Sequence, residues 1–346
     1  MNTTATGQGT ASKQHLPELD LIKGIAISLV VLGHILIIAT EYGRTALINI
    51  LTSFHVPAFV FVTGYLSSRE VSDWSAFWRK RSVQLLLPLL FVPALHVLSA
   101  GKSWEELIWN EYHAGYWFTY VLFLLFVPFC LFRYTYKLIR PRLSAPSELT
   151  SFGLDATLGL LSLCLVLGGE WLLSGHEQLS GLLSLPLISW LYPYLLIGYF
   201  VARYQLIKKL YTHPIVLALA TTVAVATITL DFYGHPILRG IPRAMSSVCV
   251  LYSICIYLGG LSNRVTTLLS RLGRESLGLY LWHYFFLISF PMREWVQYLS
   301  AGKTPLAWEL ILGLSGSALV LIITYAWVQV LKFNPIVSRC LLGSKA

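Results

Sequence analysis

Apolar residues run in long, nearly unbroken stretches along this chain, and short polar segments between them carry most of the charge. The stretches lie at about 17–40, 47–67, 82–100, 115–133, 153–173, 180–201, 214–232, 240–260, 274–292 and 306–331. Each is about 20 residues, the length a helix needs to cross the roughly 30 Å hydrocarbon core of a bilayer. Continuous runs, instead of ten-residue alternations, favour helices over an outer-membrane barrel. The pattern predicts an all-α integral membrane protein, a ten-transmembrane-helix bundle.

The basic residues give this bundle a direction. Arg69, Arg79, Lys80 and Arg81 follow the second run, and Arg133, Lys137, Arg140 and Arg142 follow the fourth. Arg203, Lys208 and Lys209 follow the sixth, and Arg264, Arg271 and Arg274 the eighth. With Lys13 before the first run and Lys332, Arg339 and Lys345 after the last, about 18 basic residues lie on one side. The other side has about six: Arg44, Lys102, Arg239, Arg243, Arg293 and Lys303. The positive-inside rule therefore predicts cytoplasmic termini and a multi-pass protein of the inner (plasma) membrane. Residues 17–331 read as one membrane domain, with a disordered cytoplasmic tail at 1–16 and a second cytoplasmic tail at 332–346. The opening MNTTATGQGTASKQ has no basic segment followed by an apolar core, so it does not read as a cleavable signal. Trp104, Trp109, Trp117, Trp190 and Trp295 fall near the expected interfaces, and residues 101–114 read as an interfacial amphipathic segment.

Composition agrees: the chain is 56% hydrophobic and 12% charged, where soluble chains are about one-quarter charged. The net charge of +9 follows from topology and gives no reason to expect a nucleic-acid partner. The five cysteines form no CxxC pair and read as small hydrophobes.

The chemistry begins in the first run. Lys23 and His34 sit in DLIKGIAISLVVLGH, and ionisable groups at such depth are costly enough to imply a role. Eleven residues at about 100° bring both to nearly one helix face, about 16 Å apart along the axis. His55, in FHVPAFVFVTGYL, and His283, in ESLGLYLWHYFF, fall at similar central depth. A neutral histidine suits a general base, and a cation near the cytoplasmic mouth suits a phosphate-bearing donor. Asp20, three residues before Lys23, is placed to pair with it. His55 reads equally as a group capping the break near Pro57. His15, His96, His113, His176, His213 and His235 lie in loops or at run ends and read as surface residues. No spacing sets two metal ligands on one turn, so no metal is expected.

These residues carry a family resemblance. Asp20, Lys23 and His34 resemble the opening motif of the acyltransferase 3 family of membrane-bound O-acyltransferases, with lysine where arginine is commoner. FHVPAFVFVTGYL is similar to the family's second-span phrase, with Thr63 in place of the usual serine. Trp117 and Phe118 in YWFTYVLFLLF, YPYLLIGYF at 192–200, and Ser276, Tyr280 and His283 follow in the family's order. The resemblance covers residues 17–331. It implies a stand-alone form without an SGNH domain, similar to exopolysaccharide O-acetyltransferases. It implies no bound cofactor, with acetyl-CoA (acyl-CoA) as co-substrate. The implied partners are membrane lipids, a glycan or lipid-linked saccharide acceptor, and polysaccharide synthesis machinery. His34 and His283 are then the expected catalytic residues and Lys23 the donor-binding one. Asp20, His55, Trp117, Ser276 and Tyr280 are expected to form or support the acceptor pocket. The competing reading is a flippase or exporter of glycans, with the same polar residues lining a path.

Overall fold

The structure, a computed structural model, describes residues 16–39, 54–101, 103–110, 112–142, 147–232, 240–261, 263–288 and 306–344. The N-terminal tail before Leu16 and Trp295 lie outside the described residues. Among the described residues every regular element is helical. In chain order they are α1 (Pro17–Ala39), α2 (His55–Leu66), α3 (Trp74–Ala100), α4 (Trp104–Trp109), α5 (Trp117–Ile139), α6 (Glu148–Leu173), α7 (Glu177–Leu182) and α8 (Leu185–Arg203). Then come α9 (Gln205–Tyr211), α10 (Pro214–Phe232), α11 (Ile241–Gly259), α12 (Arg264–Arg274), α13 (Ser276–Ile288), α14 (Leu306–Leu331) and α15 (Pro335–Leu342). Among the described residues, seven stretches are long and apolar enough to cross a membrane, or eight if the bent pair α9–α10 is one span. The chain is a multi-pass helical membrane protein. Each of the ten apolar runs carries a helix, although α2 and α13 are short within the described residues. The segment read as a C-terminal tail contains α15, which starts at the side-chain cap of Asn334 and packs on α3.

Helix α1 is central and is packed on by α2, α11, α12, α13 and α14. In lipid, helices gain little from hiding apolar surface, and close contact depends on small residues. A Cβ on Gly24 would lie 2.0 Å from the Leu269 carbonyl oxygen, and one on Gly273 would lie 1.8 Å from that of Asp20. Only glycine on both sides permits this α1–α12 crossing, which brings Arg274 beside Asp20. A second crossing, α2 on α8, is built the same way from Gly64 and Gly198. Helix α3 contains a π turn at Ser82–Leu86, where the Leu87 N–H reaches the Ser82 carbonyl. Pro88 has no N–H to give to the Gln84 carbonyl, which accounts for the break in the regular ladder there.

Helix α6 is mostly exposed on its apolar faces and is held by polar groups. Its fully buried Asp155 accepts hydrogen bonds from the hydroxyls of Tyr199, at 2.8 Å, and Tyr204, and pairs with Arg203 Nε at 3.0 Å. Ser162 bonds the Tyr192 hydroxyl at 2.8 Å. Arg133 lies buried over the Tyr199 ring and donates to the carbonyls of Ser67 and Ser68. Arg133 and Arg203, counted from sequence as loop charges, are thus part of the packing. Arg243, counted on the opposite side, is buried as well and donates to the Thr227 carbonyl at 2.8 Å. Three of the cysteines, Cys130, Cys249 and Cys255, are buried, while Cys164 is exposed on α6 and Cys340 is half-buried.

Asp155→Ala strands Arg203 and is expected to cost about 3–5 kcal/mol of stability. The thermal midpoint of the detergent-solubilised protein measures this. An unchanged midpoint would show that α6 is held by other means.

Candidate active site

The α1 face predicted from spacing opens onto an internal cavity of about 250 Å³. Lys23, His34, His55, Trp117, Ser276 and Tyr280 all line it. Asp20 sits behind the wall: its carboxylate holds Lys23 Nζ at 2.7 Å, with Arg274 Nη1 at 3.9 Å. His283 is fully buried behind His34. His55, Trp117 and Ser276 are the first residues of α2, α5 and α13, so three helix starts converge on the cavity.

The hydrogen bonds of the two histidines determine where their protons sit. His283 Nδ1 lies 2.7 Å from the Tyr280 carbonyl oxygen and 3.2 Å from that of Leu279. Carbonyls only accept, so Nδ1 carries the hydrogen and Nε2 of the neutral ring accepts. Its partner, 3.1 Å away, is His34 Nδ1, which must therefore donate. His34 Nε2 is left with the free lone pair, and the Tyr284 hydroxyl, 2.9 Å away, donates to it. Two backbone carbonyls thus make His34 Nε2 the basic atom of the pair. Tyr280, one turn earlier, is used differently. Its hydroxyl accepts from the Phe118 N–H at 3.1 Å and donates to the Gly115 carbonyl at 2.9 Å. It therefore satisfies an orphan amide at the start of α5 and clamps α5 to α13.

Several residues of this region went unnoticed in the sequence. Tyr284 directly follows His283, yet nothing in the sequence marks it as the partner of His34. Arg81, just before the π turn of α3, and Gln84, within it, reach the cavity, bonded to each other at 3.2 Å, with the Arg81 guanidinium 4.5 Å over the Phe126 ring. Gln84, Arg274 and Leu277 also line a second cavity, of about 710 Å³, at the basic end of the bundle. Arg79, Lys80, Lys332 and Arg339 face this vestibule, and Glu275 is its acidic member, bonded to Lys332. All of these cations were counted from sequence as topology signals only. Among the described residues no cluster of histidine, cysteine or carboxylate side chains could hold a metal ion.

Residues 16–327 match Acyl_transf_3, described as an acyltransferase domain. The chain belongs to the acyltransferase 3 family. It is similar to the nodulation protein NolL of Mesorhizobium japonicum, 32% identical over 126 residues, which is 32% of this chain and 34% of that protein. It is also similar to NolL of Sinorhizobium fredii, 39% identical over 84 residues, 22% of this chain and 23% of that protein. The matched segments thus span about a third and a quarter of these relatives. No solved structure matches the chain.

Two histidines read as surface residues are in fact inside this acyltransferase 3 domain. His96 is buried against the rings of Tyr116, Tyr284 and Phe285. His113 is buried in the turn before α5, where φ is positive at His113 and Ala114. Its Nδ1 donates to the Leu107 carbonyl at 2.9 Å, and its Nε2 accepts from the Ser184 hydroxyl at 3.0 Å. Burial holds the His113 pKa below its ordinary 6.5, opposed in part by the Leu107 bond. The unfolded chain therefore takes up this proton more readily than the folded one. The stability tied to His113 is complete above pH 6.5 and drains as the pH falls below it. Thermal midpoints of wild type and His113→Gln, followed from about pH 8 to about pH 5, are expected to converge at the acid end. Parallel curves would dissociate His113 from acid lability.

Proposed function

We propose that this protein moves an acyl group, acetyl by expectation, from cytosolic acyl-CoA to a hydroxyl of a cell-surface or exported polysaccharide or its lipid-linked precursor. The observation that carries the reading is one arrangement. A basic imidazole nitrogen borders a small cavity, and that cavity shares a wall with a larger cationic vestibule. Coenzyme A is a polyphosphate joined to a thin, neutral arm. Its phosphates match Arg79, Lys80, Arg274 and Arg339, and its arm matches the narrower space leading to His34. Lys23, held by Asp20, lies between the two and guides the donor. The reading takes all ten helices as crossings of the inner membrane, with both termini and the vestibule in the cytoplasm.

In this mechanism His34 Nε2 removes the proton from the attacking hydroxyl as its oxygen meets the thioester carbonyl. His283 fixes the His34 tautomer and steadies the imidazolium that forms, the role of the third member of a nucleophile–base triad. His55, Trp117 and Ser276 shape the acceptor side, and Tyr280 holds that wall in place.

A glycan exporter would use the same polar residues without consuming thioester. Purified protein supplied with labelled acetyl-CoA and the host's extracted polysaccharide separates the two: the proposal requires acceptor-dependent release of CoA thiol. Thioester left intact with every acceptor would favour export.

His34→Ala is expected to lower turnover by about 10²–10⁴-fold. His283→Ala is expected to lower it by about 10–100-fold, by analogy with partners that orient metal-bound histidines. Thermal midpoints measured alongside separate lost chemistry from lost folding. A larger loss at His283 than at His34, at equal stability, would reverse the roles.

For the donor, Lys23→Arg should keep activity, while Lys23→Gln and Arg339→Glu should raise KM for acetyl-CoA. An effect confined to the acceptor KM would refute the donor assignment.

A further inference from the structure

We propose that α15 is part of the donor site: its last residues hold Gln84 and Leu277 in place and so set the width of the passage from the vestibule toward His34. The inference rests on the acyl-CoA reading above and adds a positioning residue to it, Gly343.

The sequence reads this segment as a tail, but its burial is not that of a tail. Phe333 and Ile336, at its start, are 87% and 74% exposed, whereas Ser338, Leu342 and Gly343 are buried. A helix that served only as an anchor would hide its large apolar residues first. This one docks instead by its C-terminal end, and that end lies where the two cavities meet. Arg339, Leu342, Gly343 and Ser344 line the vestibule together with Gln84 and Leu277.

The contacts made there reach both walls of the passage. On the α3 side, a Cβ on Gly343 would lie 2.2 Å from the Gln84 carbonyl oxygen and 2.8 Å from the Gln84 Cα, so the two backbones touch. Gly343 has φ of 63°, which turns the chain out of α15. On the α13 side, the Leu341 carbonyl accepts from Trp282 Nε1 at 3.3 Å. Leu342 packs at Gly278, where an added Cβ would lie 3.2 Å from Leu342 Cδ2. Gly278 directly follows Leu277, and Trp282 directly precedes His283. Three consecutive residues, Leu341, Leu342 and Gly343, therefore bridge α3 to α13.

The π turn has a physical need for such support. Pro88 leaves its ladder short of a donor, so the turn is less firmly held from within than a regular helix. The position of Gln84 then depends on what presses on it from outside. Its side chain is bonded to Arg81 at 3.2 Å, so a shift of this backbone disturbs two groups of the inner cavity at once.

The test separates close approach from ordinary strain. Acetyl-CoA binding to the purified full chain is measured by equilibrium dialysis, and CoA thiol release is followed with the host's extracted polysaccharide as acceptor. Gly343→Ala and Gly343→Asn both add a Cβ, but asparagine tolerates the left-handed backbone that alanine resists. Both are expected to weaken acetyl-CoA binding and raise its KM by about 10–100-fold, since a misplacement of about 1 Å can cost about 10²-fold. Turnover at saturating acetyl-CoA, the acceptor KM and the thermal midpoint should stay at wild-type values. Gly101→Ala is the control: Gly101 has φ of 62° with nothing within 4 Å of an added Cβ, so the donor KM should not change. Wild-type donor affinity in Gly343→Asn would overturn the proposal, because the left-handed turn alone would then suffice. A loss shared equally by donor KM, acceptor KM and thermal midpoint would overturn it too, by making α15 a purely structural element. A chain ending at Leu342 removes the contact without adding a clash and keeps the test decisive if the substituted proteins misfold. The donor KM must rise there as well, and a wild-type value overturns the proposal. Failure of the wild type to bind acetyl-CoA removes the donor reading itself, and the role of Gly343 with it.

Discussion

A polar atom in the interior of a bilayer has no water to bond, so each must find its partner in protein. In this structure that requirement has chemical consequences at His283. Its Nδ1 is tied to carbonyls three and four residues back in its own helix, a contact that any inward-facing histidine could make locally. Once that proton is committed, the neighbouring groups follow in order: His283 accepts, His34 donates, and His34 Nε2 is left basic toward Tyr284. The same requirement explains Asp155, where a buried carboxylate gathers two tyrosines and an arginine and thereby fixes a peripheral helix. One such network orients chemistry and the other secures architecture.

These contacts need backbones at short range, and lipid offers little force to bring them there. Interlocked glycines supply the means, since dispersion between helices grows only when the surfaces touch. The crossing at Gly24 and Gly273 sets Arg274 against Asp20 and leaves Lys23 facing the cavity. The crossing at Gly64 and Gly198 seats α2 so that His55 and Thr63 line the same space. The polar site is therefore a product of apolar packing.

Two cavities of different character meet at Gln84, Arg274 and Leu277. The larger is rimmed by cations and lies at the basic end of the bundle; the smaller is mostly aromatic and aliphatic, with a few ionisable groups. The π turn of α3 takes part in both, because the irregular ladder around Pro88 turns Arg81 and Gln84 inward. A polyphosphate with a slender reactive arm fits this division of labour.

Much of this was legible in the sequence, because the cost of placing a residue in hydrocarbon depends on that residue and its immediate neighbours. Apolar runs mark the helices, and Lys23 and His34 stand out as ionisable groups that needed a reason to be there. Their common face followed from helical periodicity, and the Asp20–Lys23 pair from a spacing of three. The partners across the bundle did not follow. Tyr284 and His34 are 250 positions apart and meet only because α1 and α13 pack at a particular rotation. Arg133, Arg203 and Arg274 looked like loop charges because their buried or shared contacts lie on other helices. His96 and His113 looked like surface residues for the same reason. The sequence by itself determined which segments enter the membrane and which ionisable residues they carry. Only the tertiary structure decided which of those groups touch, since helix rotation and spacing are set by contacts between residues far apart in the chain.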